Sequence, residues 1–366
     1  MARQNPVRHP RVSIIVNNFN YERYVGAAIE SALAQRYPHV DVIVVDDGST
    51  DGSRQVIDRY AGQARILFKP NAGQASAFNA GFAASSGDYV LFLDADDVLL
   101  PDAMDVVMAA AVRNPRASKI QYRMAIVDEH GRQTGAITPS EHLPRVSGDV
   151  SRQVVTSPYD MTWMATSANV FSAAALRAIM PVPEHVYGRV GADWYVGFLT
   201  PLLGEVEFLD DVGALYRVHQ SNNYQVQQPV VNVAAVRQTL AYMDKTVPFI
   251  VRLARARGVP GCPVASRDLL SVSHVANRMI SLRLDPAGHP TRGDTRAGLL
   301  VQGIRAAVRR ADVTPAMKLM FVLWFAAMAA VPCHLAERLA VYFLYPERRP
   351  AVNAVLGRLH RAGGAR

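Results

Sequence analysis

The stretch Tyr89-Val90-Leu91-Phe92-Leu93-Asp94-Ala95-Asp96-Asp97 decides how this chain is read. Its first five residues form an uninterrupted apolar run of strand length, the pattern of a strand buried on both faces. Three carboxylates follow where that strand leaves the sheet. Burying an unpaired carboxylate is costly, so such a cluster is paired, solvated or metal-bound. On this stretch alone two readings stand: a solvated turn whose acids cap the next helix near Pro101 and Asp102, or a cation-binding turn.

Upstream the same grammar repeats. Val12-Ser13-Ile14-Ile15-Val16 is a β-branched run that ends in Asn17-Asn18-Phe19-Asn20-Tyr21, and Val25, Ile29, Ala32 and Leu33 follow at helical spacing. Val42-Ile43-Val44-Val45 ends in Asp46-Asp47-Gly48-Ser49-Thr50-Asp51, with a helix expected from about Ser53 to Tyr60. Ile66-Leu67-Phe68 is a short third strand, leading to Asn71-Ala72-Gly73-Gln74 and a small-residue helix through Ala84. Strands alternating with helices, and strands apolar throughout, predict an α/β fold: a mostly parallel sheet with helices on both faces. In such sheets ligands bind beyond the carboxyl ends of the strands. Asn17, Asp46, Asp47, Asn71, Asp94, Asp96 and Asp97 all fall just after strand ends and are expected to share one edge.

The sequence has no G-x-x-x-x-G-K-[ST] loop, which excludes a P-loop enzyme, and no G-x-G-x-x-G after the first strand, which argues against a dinucleotide-binding domain. Acids can neutralise phosphate only through a divalent cation, a hard ion that takes carboxylate oxygens and bridges phosphates.

Val12–Asn20, Val44–Asp51, Asn71–Gly87 and Leu93–Asp97 together resemble the family 2 glycosyltransferases of the GT-A fold, in that family's order and spacing, over roughly residues 10–105. The resemblance implies that a nucleotide-sugar sits on Asn17, Phe19, Asp47, Gly73 and Asn79. It puts the family's D-x-D metal site on Asp94 and Asp96, for Mg²⁺ or Mn²⁺, with Asp94 also on the donor. Thr166–Phe171 resembles the segment bordering the acceptor pocket, with Asn169 in it. Gly191-Ala192-Asp193-Trp194 opens a helix through Leu199. Asp193 there reads as a first-turn carboxylate favoured by the helix dipole, or by resemblance as the catalytic base. Family members commonly carry an acidic pair at this point; here Ala192 replaces its first member. Trp194 is suited to stack on an acceptor sugar. In Arg217-Val218-His219 the spacing puts Arg217 and His219 on one side of an extended segment. Both would meet the diphosphate, and His219 is a candidate metal ligand. If the base were not Asp193, Asp160 and Glu184 are the next acids to consider.

Two cysteines, Cys262 and Cys333, exclude a disulfide framework and suit a reducing compartment. Met1 to Arg11 is polar and basic, so no secretory signal is expected and a cytoplasmic location is. Charge divides the chain. Residues 1–229 hold 19 Lys/Arg against 24 Asp/Glu, whereas residues 230–366 hold 20 against 7. The expected organisation is a catalytic domain over 1–229 and a basic helical region over 230–366, with helices over Val233–Met243, Phe249–Arg257, Leu269–Leu284 and Ala297–Ala311. Leu319 to Cys333 is an uncharged apolar run of 15 residues, short of the roughly 20 a spanning helix needs. With Trp324, Tyr342 and Tyr345 nearby, and Arg348 and Arg349 beyond, it suits either a buried helix pair or an anionic membrane surface.

The expected function is an inverting glycosyltransferase acting on a glycan or lipid-linked acceptor, in polysaccharide or lipid-linked glycan synthesis. Nucleic acid is not among its expected partners. Two rivals are a sugar-nucleotide pyrophosphorylase-like nucleotidyltransferase, whose glycine-rich, Arg-containing first loop is missing here, and a non-catalytic binding protein on the same fold.

Overall fold

The computed structural model describes residues 9–139, 145–162, 164–219, 231–261, 271–310 and 312–344. Cys262, Tyr345, Arg348 and Arg349 lie outside the described residues. The chain forms two compact units: Met1–Ser140, Val146–Val150 and Trp163–His219 make the first, and Glu141–Arg145, Ser151–Thr162 and Gln220–Arg366 the second.

The first unit begins with β1 (Val12–Asn18), α1 (Val25–Leu33), β2 (Val40–Asp46), α2 (Ser53–Asp58), β3 (Arg65–Phe68), α3 (Gln74–Ala84) and β4 (Tyr89–Asp94). All four strands run parallel, in the spatial order β3-β2-β1-β4. The apolar runs of β1, β2 and β4 are buried on both faces because helices cover both, while β3 at the edge is half-buried. On one face Val12, Ile14, Val16, Leu91 and Leu93 pack under Val25 and Ile29 of α1 and under Met104 and Met108 of α4 (Ala103–Arg113). On the other, Phe78 of α3 stacks on Phe92 at 4.0 Å between ring centroids. There α3 lies flush on the sheet, since a Cβ on Gly81 would fall 2.3 Å from Ile15 Cγ2.

Beyond β4 the sheet turns mixed. It continues through β5 (Val98–Leu99), β6 (Ala117–Val127), β7 (Gln133–Thr138), β8 (Asn169–Ser172) and β9 (Glu205–Arg217), completing the order β3-β2-β1-β4-β8-β6-β9-β5, with β7 on β6. β8 runs against both β4 and β6, while β9 is parallel to β6 and antiparallel to β5. Between these strands the chain forms α5 (Ser151–Thr156, in the second unit), α6 (Ala173–Ile179), α7 (Glu184–Tyr187) and α8 (Ala192–Leu199).

The second unit adds α9 (Val233–Ala256), α10 (Val272–Leu284), α11 (Arg296–Arg309), α12 (Pro315–Ala330) and α13 (Cys333–Leu344). Two helices were expected where α9 is one, running through Pro248. Proline removes one backbone hydrogen bond, but Val247, Ile250 and Val251 beside it are buried, and that packing holds the helix together. Asp160 belongs to this unit. Its buried carboxylate accepts hydrogen bonds from Ser271 Oγ at 3.0 Å and from the Val272 and Ser273 amides at 2.8 Å, capping α10. An acid so committed is a structural cap, which removes it from the list of alternative bases.

Candidate active site

Strand order reverses direction between β1 and β4: β2 and β3 lie to one side of β1, and β4 to the other. Ligands gather at such a switch point. Asn17 at the end of β1 stands in register with Asp94 at the end of β4. Asn17 donates through Nδ2 to Ile15 O at 3.3 Å, and its Oδ1 is buried without a partner. Phe19 follows with 42% of its surface exposed, an uncovered ring.

The two carboxylates after β2 are buried and shape loops. Asp46 accepts from Asn18 Nδ2 at 2.7 Å and from the Ser49 amide at 3.1 Å. Asp47 takes the Lys69 ammonium, the Ala72 amide and, at 2.7 Å, the Gly73 amide. Asp47, expected at the nucleotide-sugar, organises the turn at 69–73. Gly73 has a positive φ of 90°, and a Cβ there would fall 2.5 Å from Gly188 O and 2.7 Å from Arg189 Cα. Its absence of a side chain lets the 188–189 backbone rest on the start of α3. Asn79, expected at the donor, braces the 182–184 segment. Its Nδ2 donates to Val182 O at 2.9 Å and to Glu184 Oε1 at 3.0 Å, and its Oδ1 accepts from the Val182 amide. Glu184 is exposed and engaged by that brace, which weakens its claim as a base.

The acids after β4 form one electrostatic cluster. Burial, and then the charges of Asp96 and Asp193, push the Asp94 carboxyl well above its ordinary range. Burial followed by the Asp96 and Asp94 charges does the same to Asp97, whose Oδ2 is buried without a partner. His219 Nε2 lies 3.0 Å from Asp96 Oδ2. Arg217 was expected to meet the diphosphate; its Nε donates to Asp96 O at 2.9 Å and its amide to Asp97 Oδ1 at 3.1 Å. Arg217 thus fastens the acidic turn to the end of β9. Tyr24 stacks on His219 at 4.9 Å and lies 5.0 Å beneath the Arg217 guanidinium, while Tyr21 meets His219 edge-on at 5.7 Å. Burial and the three acids raise the Tyr21 hydroxyl, which keeps its proton and remains a donor. These tyrosines went unassigned in the sequence, although their i, i+3 spacing before α1 was the signal available.

Asp193 joins the cluster from the first turn of α8. It is half-buried, and enclosure by protein pushes its carboxyl up to about 6. Two amides at this helix start, Gly191 and Ala192, donate to Gln74 Oε1 at 2.9 and 3.1 Å, and the Gln74 amide donates to Arg189 O at 2.9 Å. Gln74 is the residue whose role the sequence did not reveal: it caps the helix that carries Asp193. Ala192 is fully buried, so the family's missing first acid would sit in the core here. Trp194 stacks on Phe198 at 5.2 Å. Asn169 is buried, and its Nδ2 donates to Ala165 O at 2.6 Å and Met164 O at 3.2 Å. It stiffens the 165–168 turn, where Ser167 Oγ accepts the Asp94 amide at 3.0 Å.

Replacing Gln74 by leucine keeps the volume and removes both acceptor bonds. The α8 start is then uncapped and Asp193 shifts, so kcat is expected to fall about tenfold or more with nucleoside diphosphate affinity unchanged. Turnover and calorimetry together check this, and a parallel loss of both would assign Gln74 to the donor instead.

Among the described residues no three of His, Cys, Asp and Glu converge into a ready metal cage. Magnesium-type ions need none: one or two carboxylates suffice when substrate phosphates supply further oxygens. Hard carboxylate oxygens, mutual repulsion that raises Asp94 and Asp97, and an unsatisfied Asp97 Oδ2 all fit a divalent cation.

The model of "Glycosyl transferase family 2" matches residues 13–171. A glycosyltransferase of a Nostoc species, itself uncharacterised, is 32% identical over 253 residues, covering 66% of this chain and 76% of that protein. Another from Haemophilus influenzae is 33% identical over 138 residues, covering 37% of this chain and 55% of its own length. Among solved structures, residues 1–349 of S. aureus TarS in complex with UDP superpose with a TM-score of 0.51 at 15% identity, covering 92% of this chain and 91% of that one, a likeness of fold. The chain belongs to glycosyl transferase family 2 and has the GT-A fold.

Proposed function

We propose that the chain transfers a sugar from a nucleotide-sugar to an acceptor hydroxyl with inversion at the anomeric carbon, in the synthesis of a polysaccharide or lipid-linked glycan. The observation that carries the proposal is the carboxyl of Asp193, held at about 6 and electrostatically linked to the acids after β4. A base poised just below neutral pH is ionised when it is needed and still takes a proton in the transition state.

In this reading Asp193 accepts the proton of the acceptor hydroxyl as its oxygen attacks the anomeric carbon. The new C–O bond forms on the face opposite the breaking bond to phosphate. The electron pair of that bond leaves with the nucleoside diphosphate. Asp96 and Asp94, with His219 beside them, would hold a Mg²⁺ or Mn²⁺ ion, which would supply Lewis-acid neutralisation of the diphosphate. Tyr21, protonated and facing the acids, is placed to donate to an anionic oxygen. Asn17 Oδ1 and the Phe19 ring serve the nucleoside.

Residues 1–229 act as the catalytic domain in this proposal and residues 230–366 as a basic appendage. The appendage holds the enzyme at the cytoplasmic face of a membrane, near a lipid-linked acceptor. No described helix is long and apolar enough to cross a membrane, which suits a peripheral attachment.

A panel of nucleotide-sugars with Mn²⁺ and candidate acceptors tests the reaction. Acceptor-dependent release of nucleoside diphosphate is the expected result. Release of pyrophosphate would make the protein a nucleotidyltransferase, and no release with any donor would make it a binding protein.

A further inference from the structure

Large apolar side chains exposed to solvent are concentrated on the last three described helices of the second unit. Of the eight exposed ones among the described residues, six are Val301, Val308, Leu319, Leu323, Leu335 and Tyr342, all on α11, α12 and α13. On α12 the exposure follows a line. Ala316, Leu319, Leu323, Ala326 and Ala330 are exposed at alternating spacings of three and four, while Phe321, Phe325 and Met328 on the opposite face are buried. Leu319 and Leu323 are 58% and 59% exposed, and no charge interrupts the stripe from Leu319 to Ala330.

The charge around this stripe is predominantly positive. Residues 296–344 contain six Lys/Arg and two Asp/Glu. Of the acids, Asp312 is paired with Arg310, which leaves Glu337 on the exposed side of α13. Arg305 and Arg309 are exposed on α11 between and beside Val301 and Val308. Lys318 Nζ donates to Val308 O at 3.0 Å and so ties the α12 start to the basic end of α11.

We propose that the exposed face of α12, together with α11, docks in the plane of an anionic lipid bilayer. This names the surface behind the peripheral attachment in the proposed function; it rests on exposure and charge and not on the transfer reaction. A second copy of the chain is the other apolar occupant to consider. It would set Arg305 and Arg309 against the same arginines or leave them unmatched, because neither exposed helix face carries an acid. Anionic headgroups supply the missing negative charge, and the acyl boundary takes the leucines. With 16 residues α12 is about 24 Å long, too short to span, and it lies flat. Trp324 Nε1 donates to Leu339 O at 2.9 Å, holding α13 alongside.

Flotation of the full chain with phosphatidylcholine vesicles, with and without phosphatidylglycerol, tests the proposal. The chain is expected to float with the anionic vesicles at low salt and to be released by high salt. The pair Leu319→Glu and Leu323→Glu should weaken partitioning about 10²-fold. The pair Arg305→Glu and Arg309→Glu should weaken it at least about 25-fold. All four side chains are on the surface, so thermal melting should be unchanged, which a circular dichroism melt verifies. A chain that stays soluble with every vesicle overturns the proposal, as does a leucine pair that floats like the parent. A lipid-free dimer that the leucine pair converts to monomer would assign the stripe to a second copy and also overturn it. Nucleoside diphosphate binding, measured in the same variants, should not change; failure of the transferase reading would appear there and leave flotation untouched.

Discussion

Asp193→Asn is expected to lower kcat by about 10²-fold or more and leave nucleoside diphosphate affinity essentially unchanged. Asparagine keeps the shape of the first turn of α8 and its contact with Gln74 but cannot accept a proton. The pH dependence sharpens the expectation. Burial raises this carboxyl to about 6, so it is protonated and idle below that value and ionised above it. In the parent enzyme kcat should therefore rise with pH through about 6 and level off near neutrality, and in the variant that limb should vanish. A variant with most of its turnover would move the base elsewhere, and a shared limb in both proteins would assign the titration to another group.

Asp96→Asn is expected to weaken divalent-dependent binding of UDP or GDP by about 10²-fold or more, at least the top of the roughly 10–100-fold range lost when a residue that only supports a metal ligand is removed. Calorimetry with Mn²⁺ present and absent measures it. The variant is expected to fold. The Asp96 charge is the largest charge raising both Asp94 and Asp97, so deleting it relieves repulsion inside the turn. The Arg217 bond is to the Asp96 backbone and survives the change. Melting temperature should hold or rise while binding is lost. Unchanged affinity in the folded variant would take Asp96 out of the metal site.

The parallel half of the sheet was legible because a strand buried on both faces must be apolar through its middle, and Ile14–Val16, Val42–Val45 and Tyr89–Leu93 are unbroken apolar runs. The clustering of strand-end acids was legible for the same reason: strand direction alone puts Asn17 beside Asp94. What a polar side chain does there was less so. Asp47, Asn79, Asn169 and Arg217 look alike in a sequence whether they meet a ligand or brace a loop. The difference lies in partners far along the chain, as when Asn79 reaches Val182, 103 residues away. Gln74 was hidden in the same way, since its partners, Gly191 and Ala192, are backbone amides that leave no mark in the sequence. Helix α9 escaped for a different reason. Pro248 is a strong local breaker, and only the packing around it decides that the helix continues.

The fastening of the acidic turn by Arg217 and His219 has a consequence for biosynthesis. The bonds to Asp97, Asp96 O and Asp96 Oδ2 span 120, 121 and 123 residues. A ribosome makes the acids early and their fasteners more than a hundred residues later, at about 5–20 residues per second. For several seconds the nascent chain carries every carboxylate of the turn and neither of the two side chains, Arg217 and His219, that fasten it. A chain that terminates before Arg217 keeps the acids but loses the strand end that orders them. The proposed active site is therefore completed only with the last strand of the sheet, and a product truncated before it is expected to lack activity.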